Sequence, residues 1–203
     1  MIAIIDYDAG NTFNVQKALQ HIGLDAVLTA DRDTILAADG VILPGVGAYA
    51  SAVSVLRERG LIEVIHEVVD RNIPLLGICL GMQLLFDESE EYGPTPGLGI
   101  IPGIVKAIPN NLGLRVPHMG WNQNTLCRKD SAFSDVSDKY TYFVHSYYVD
   151  TDSQYITTIA DYGIKVPGIV EKGNVYGMQF HPEKSGAVGL NLLRTFGNII
   201  AKK

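Results

Sequence analysis

The segment Pro74-Leu75-Leu76-Gly77-Ile78-Cys79-Leu80-Gly81-Met82-Gln83 constrains the fold more than any other stretch of the chain. A short apolar run ends at Cys79, with glycines two positions before and two positions after it. Gly-x-nucleophile-x-Gly belongs to a sharp turn from a buried strand into a helix. Such a turn strains its central residue and crowds the flanking backbone, so the flanking positions must lack a Cβ. It also lifts the thiol above the carboxyl edge of a sheet, where α/β folds place their ligands. The start of the helix then favours a thiolate through its partial positive charge. The competing reading of Cys79 is a buried cysteine acting as a small hydrophobe.

The sequence around this turn supports a parallel sheet. Met1 to Asp6 reads as a strand, followed by the turn Tyr7-Asp8-Ala9-Gly10-Asn11. Val15, Ala18, Leu19 and Ile22 then recur at helical spacing, with Gly23 as a C-cap. Ala26 to Thr29 and Gly40 to Leu43 read as further strands, and helical patterns fill Ala50 to Arg57, Leu61 to Asp70 and Gly81 to about Asp87. Strand and helix in alternation predict a mostly parallel central sheet flanked by helices.

From Gly93 to Gly103 the chain is rich in Pro and Gly, and the second half turns β-rich. Thr141 to Val149, Tyr155 to Asp161, Val166 to Glu171 and Val175 to Phe180 are β-type runs, with Lys172-Gly173-Asn174 as a hairpin turn between the last two. An additional antiparallel β region therefore flanks the parallel sheet. A final helix covers Ala187 to Ile200. With 203 residues and no internal repeat, residues 1–203 are expected to form a single domain.

Composition excludes several classes of function. A net charge of -6 without a Lys/Arg cluster argues against nucleic acid as partner. No apolar run has membrane-spanning length, and the start of the chain lacks a secretory pattern, which leaves a cytoplasmic protein with no membrane association as the expectation. Cys79 and Cys127 are too far apart for metal-ligand spacing, so neither a metal nor another cofactor is expected. Cys127, in the polar stretch Thr125 to Lys129, has nothing nearby that recruits it to chemistry.

A thiol nucleophile needs a base that takes its proton and returns it to the leaving amine. Of the five histidines, His181 has the best surroundings: it follows a strand in Gln179-Phe180-His181-Pro182-Glu183-Lys184-Ser185. Pro182 holds the preceding residue extended, and in extended backbone residues i and i+2 point the same way, so Glu183 can reach the imidazole. A carboxylate there selects the tautomer and stabilises the imidazolium. The competing reading is an ordinary surface His-Pro-Glu turn. Amide hydrolysis also needs donors for the oxyanion; the Leu80 amide is one candidate, and the loop Gly45-Val46-Gly47 after the third strand offers another. That loop is too short for a dinucleotide fingerprint, and a tight turn without a ligand is its plainer reading.

With these residues assembled, the chain resembles the class I, triad-type glutamine amidotransferases. Pro44-Gly45-Val46-Gly47, the segment Gly77 to Gln83 and the segment Gln179 to Ser185 carry that resemblance. Pro117-His118-Met119-Gly120-Trp121-Asn122 and Tyr142-Phe143-Val144-His145-Ser146-Tyr147 narrow it to the glutaminase subunits of imidazole glycerol phosphate synthase. The resemblance implies hydrolysis of L-glutamine with Cys79 as nucleophile, His181 as acid and base, and Glu183 orienting His181. It implies further that Gly47, Gln83, Ser146 and Tyr147 hold the glutamine, and that the Gly45-Val46 peptide turns an amide toward the oxyanion when the partner is loaded. Asn11, Trp121, Asn122 and Lys184 would lie toward a cyclase subunit, a (β/α)8 barrel that forms a heterodimer with this chain and receives the ammonia. One departure is Asp8, where such sequences commonly carry glycine; Asp tolerates a tight or left-handed turn, so a local adjustment is expected.

Two other functions fit the same fold. A silent regulatory subunit would have no chemical need for Cys79, His181 and Glu183 together. A glutaminase of another pathway, or a stand-alone cysteine hydrolase, is separated by the segment Pro117 to Asn122, whose Met119 and Trp121 suit a partner surface. The plainer reading of that segment is a strand of a small antiparallel sheet with Trp121 packed inward.

Overall fold

The computed structural model describes residues 1–8 and 10–202; Ala9, inside the expected first turn, and Lys203 lie outside the described residues. The first half alternates as expected: β1 (Ile2–Ile5), α1 (Thr12–His21), β2 (Ala26–Thr29), α2 (Arg32–Leu36), β3 (Gly40–Leu43), α3 (Tyr49–Glu58), α4 (Leu61–Asp70), β4 (Leu75–Ile78) and α5 (Leu80–Leu84). The chain then crosses through β5 (Glu88–Ser89), β6 (Thr95–Pro96) and β7 (Ile104–Ala107). The second half contributes β8 (His118–Gln123), β9 (Thr125–Leu126), β10 (Tyr140–His145), β11 (Tyr147–Asp150), β12 (Ile156–Asp161), β13 (Lys165–Lys172), β14 (Val175–Met178) and α6 (Gly186–Ala201).

The main sheet has the order β2-β1-β3-β4-β14-β13-β12-β9. Its first five strands are parallel, and β13, β12 and β9 continue it antiparallel. Strands β1, β3, β4 and β14 are buried throughout, as strands covered on both faces must be. Their alternate side chains feed two cores. Ala3, Ile5, Val41, Leu43 and Leu75 pack with α2, α3 and α4, whereas Ile2, Ile4, Ile42, Leu76 and Ile78 pack with α1 and α6. Helix α4 presents Leu61, Val64, Ile65 and Val68 at i, i+3, i+4, i+7, the spacing that lines one helical face.

Two runs differ in extent from the sequence expectation, and one helix has no counterpart in it. The run Thr141 to Val149 is two strands, not one: β10 pairs with β8, β11 pairs with β7, and Ser146 turns the chain between the two sheets. Helix α5 stops at Leu84, short of Asp87, because a following loop captures its carbonyls. Leu98 donates to Leu84 O, Ile100 and Ile101 donate to Leu85 O, and Gly99 donates to Phe86 O. Helix α2 has five residues, too few to show a period, and is started by the Asp31 carboxylate accepting the Thr34 N–H at 2.9 Å. Among the described residues no helix is long and apolar enough to cross a membrane.

Candidate active site

Cys79 stands between β4 and α5 with φ 53 and ψ -110, a conformation that a residue with a side chain rarely adopts. A Cβ at Gly77 would lie 2.7 Å from Gly81 O, and one at Gly81 would lie 1.8 Å from Leu43 O. Both glycines are thus required by close backbone approach, as the sequence pattern implies. The thiol is 6% exposed, with Val144 O at 3.9 Å and Gln179 Nε2 at 3.8 Å from Sγ.

His181 follows β14, the neighbour of β4, so the sheet itself brings base and nucleophile together. Its backbone is extended, at φ -96 and ψ 99, and its N–H is held by Tyr142 O at 2.9 Å. Ser185 Oγ donates to His181 O at 2.7 Å and accepts the Tyr142 N–H at 3.0 Å, tying this segment to β10. Nδ1 of His181 lies 2.7 Å from Glu183 Oε1, and both side chains are buried. Nε2 is therefore the nitrogen left for the thiol; it has no partner of hydrogen-bond geometry among the described residues.

Burial opposes a charged imidazole at His181, but the adjacent Cys79 and the Glu183 carboxylate outweigh it, raising its pKa to about 9. The pair is thus arranged to stabilise an imidazolium. Asn11 joins it unexpectedly: its amide donates to Glu183 Oε1 and lies 3.4 Å from His181 Nδ1. The resemblance places Asn11 toward a partner, and nothing local to residue 11 indicates its reach across 172 positions to Glu183.

Cys79 and His181 open into a cavity of about 590 Å3, a size suited to a small ligand. Val46, Gly47, Leu80, Gln83, Ser146 and Tyr147 line it, so six of the seven expected substrate residues meet there. Gly45 sits one step behind: its carbonyl accepts the Leu80 N–H at 3.3 Å. A Cβ at Gly45 would lie 2.4 Å from the Tyr7 hydroxyl, which itself donates to Pro44 O at 2.6 Å. Burial, and the nearby Cys79, raise the Tyr7 pKa far above the ordinary phenol value, so it remains a donor.

Glu91, Tyr92, Pro117, Val144, His145 and Lys184 complete the lining. Glu91 had no motif around it strong enough to single it out, and Gln179, although it opens the segment Gln179 to Ser185, had no local signal for its contacts with Gln83 and Cys79. Glu91 follows β5 and is anchored by accepting the Tyr49 N–H at 2.7 Å. Gln83 donates to Tyr147 O at 3.0 Å and to Gln179 Oε1 at 3.1 Å, which leaves its Oε1 as the group for a ligand.

Trp121 does not pack inward. Met119, Trp121 and Tyr140, on β8 and β10, are 62%, 56% and 55% exposed. Asn122 directs its amide to Asp161 O at 2.8 Å and lies 3.4 Å from His118 Nε2. Lys184 is exposed at the cavity rim. Asp8 adopts φ 62, and its carboxylate is held by Arg59, which also donates to Asp6 O at 3.2 Å. This is the local adjustment that replaces the expected glycine.

The family model for glutamine amidotransferase class-I matches residues 3–198. The chain is 51% identical over 201 residues to the imidazole glycerol phosphate synthase subunit HisH of Lactiplantibacillus plantarum, covering 99% of this chain and 97% of that protein. It is 54% identical over 196 residues to the subunit of the same name from Lacticaseibacillus casei, covering 97% and 94%. A crystal structure described as a glutamine amidotransferase superimposes with a TM-score of 0.78 at 19% identity, over 99% of this chain and all of that one, a likeness of fold.

Proposed function

The chain belongs to the class I glutamine amidotransferases and, within them, to the HisH glutaminase subunits of imidazole glycerol phosphate synthase, and from that premise we propose that Cys79, His181 and Glu183 carry out its hydrolysis of glutamine. The observation that carries this assignment is the meeting of a strained, buried Cys79 with the His181-Glu183 pair in one ligand-sized cavity.

The thiolate of Cys79 attacks Cδ of glutamine, and the carbonyl π electrons move to oxygen. His181, protonated at Nε2, gives its proton to the amide nitrogen as the C–N bond breaks, releasing ammonia and leaving a γ-glutamyl thioester. Water then attacks the thioester while His181 accepts its proton. Collapse of that intermediate returns the thiolate and glutamate. Glu183 holds Nδ1–H throughout, as the third member of such sites does.

Oxyanion stabilisation requires the Leu80 N–H, which Gly45 O occupies. Rotation of the Gly45-Val46 peptide removes that carbonyl and presents the Val46 N–H in its place, so both amides then face the developing charge. Gly45 and Gly47 flank the peptide, and Gly47 already has φ 104, a conformation glycine supports readily. The resting site is closed to turnover until this rotation occurs, which keeps glutamine from being spent without an acceptor.

The acceptor is a cyclase partner subunit, proposed to be a (β/α)8 barrel forming a cytoplasmic heterodimer with this chain. Met119, Trp121 and Tyr140 supply an exposed apolar face on β8 and β10, and Lys184 stands at the cavity rim. Gln83 Oε1 and the Glu91 carboxylate suit the ammonium of bound glutamine. The test is glutamate release from glutamine by wild type and Cys79→Ala, alone and with the cyclase subunit loaded with its ribonucleotide substrate. Turnover that needs Cys79 and rises with the loaded partner is expected; equal rates with and without Cys79 would overturn the assignment.

A further inference from the structure

Two buried histidines that the mechanism does not use stand opposite each other where β8 and β10 pair: His118 faces His145, with His118 Nδ1 3.0 Å from His145 Nε2. Every proton along this contact follows from its neighbours. His145 Nδ1 lies 2.8 Å from Tyr147 O, which can only accept, so Nδ1 carries hydrogen. In a neutral ring Nε2 is then an acceptor, and His118 Nδ1 must be the donor to it. That leaves His118 Nε2 an acceptor, facing the Asn122 amide at 3.4 Å. The amide orientation is fixed as well, since Asn122 Oδ1 accepts the Gln123 N–H at 2.8 Å and Nδ2 donates to Asp161 O at 2.8 Å.

The chain of bonds continues into the cavity. Tyr147 O accepts from both His145 and Gln83, and Gln83 donates onward to Gln179, whose amide lies beside Cys79 Sγ. Asn122 stands on the same strand as Met119 and Trp121. We propose that His118 and His145 are positioning residues for glutamine hydrolysis: as a neutral pair they fix the Tyr147 carbonyl, and through it Gln83, so that the exposed β8 strand and the glutamine cavity share one hydrogen-bond chain. This rests on the glutaminase reading of the same cavity.

The neutral state has its own support. Burial lowers the pKa of His118 to about 4, and burial, together with the repulsion a second positive charge would meet from His118 or His181, lowers that of His145 to about 3. A proton on either ring would set two N–H groups against each other or leave a buried charge without a carboxylate. The orientation of His118 is held by stacking, with Tyr162 at 3.8 Å and Phe143 at 5.0 Å between ring centroids.

Two measurements test the pair. On the full 15N-labelled chain, imidazole 15N–1H correlation spectra should show both rings protonated at Nδ1 and unchanged from about pH 5.5 to about pH 8.5. An Nε2–H tautomer, or titration of either ring in that window, overturns the proposal. In the complex with loaded cyclase, His118→Phe keeps an aromatic ring for stacking but removes the donor, and should raise KM for glutamine about tenfold with little change in kcat. His118→Asn, which keeps an N–H near the Nδ1 position, should recover most of that loss, and cyclase activity with ammonia supplied directly should stay at the wild-type level for both. A His118→Phe KM within about twofold of wild type would reduce the pair to a packing role. If neither variant folds, the tautomers decide. A wild-type complex that releases no glutamate would instead overturn the glutaminase assignment, and the spectra would still judge the pair.

Discussion

The carbonyl oxygen of Gly45 accepts the backbone N–H of Leu80 at 3.3 Å, so the amide proposed to hold the oxyanion is already occupied by the protein. Behind it, the Tyr7 hydroxyl donates to Pro44 O at 2.6 Å and pins the base of the same loop. The proposed rotation therefore falls on one peptide, between Gly45 and Val46, bounded by the Pro44 carbonyl that Tyr7 holds and by the start of α5.

Gly45→Ala should therefore block the loop. Its Cβ would meet Tyr7 Oη at 2.4 Å, Leu80 Cβ at 3.1 Å and Gly81 N at 3.2 Å, leaving little room on any side. Partner-stimulated glutamine turnover should fall on the order of 100-fold, the scale of losing an oxyanion donor. Steady-state glutamate release in the loaded complex measures it, with circular dichroism to establish folding. A folded variant retaining full turnover would mean that the loop need not rotate.

Asn11→Ala removes a donor to Glu183 while leaving the 2.7 Å His181-Glu183 contact in place. Glu183 then has greater freedom, and the imidazole it orients is held less tightly. We expect kcat to fall about tenfold with KM for glutamine nearly unchanged, because Asn11 acts through the base and lies outside the glutamine cavity lining. A change confined to KM would place Asn11 with the substrate instead.

Most of the strands, and the meeting of Cys79 with the His181-Glu183 pair, were legible in the sequence because local rules fix them. Apolar runs of four residues covered on both faces have little choice but a parallel sheet, and Gly77 and Gly81 announce their turn because any Cβ there would strike backbone. Glu183 was readable from its i+2 relation to His181. What escaped depended on distant chain. Helix α5 ends early because residues 98 to 101 take its carbonyls, and β10 separates from β11 because their partners, β8 and β7, belong to different sheets. Asn11, Gln179 and Glu91 acquire their places only when β1, β14 and the segment after β5 converge on Cys79.

Trp121 tests the apolar face. It makes an edge contact with Tyr142 at 6.1 Å between centroids, yet more than half of it remains exposed alongside Met119 and Tyr140. Trp121→Ala should leave the stability of the isolated chain within about 1 kcal/mol of wild type, as an exposed position allows. Its affinity for the cyclase subunit should drop by about 30-fold or more, the loss of an aromatic anchor of about 2 kcal/mol. Titration calorimetry reads both the affinity and the stoichiometry; unchanged affinity would remove this face from the interface.

The depressed His145 pKa gives stability a definite pH dependence. Unfolded, this ring titrates near the ordinary value of about 6.5, and folded it is held down at about 3 by burial and by its histidine neighbours. Between these values the unfolded chain binds the extra proton, so the contribution is present above about pH 6.5 and is lost as pH falls toward the folded pKa, by up to about 1.4 kcal/mol per pH unit. His145→Asn lacks the titration but keeps a donor near Tyr147 O. It should be less stable than wild type at pH 7.5, and the gap should narrow steadily between about pH 6.5 and about pH 4 as wild type alone bears this loss. Urea midpoints across that range measure the gap. Parallel curves would show that protonation of His145 costs the fold nothing, and that its ring is not held neutral by burial and the neighbouring histidines.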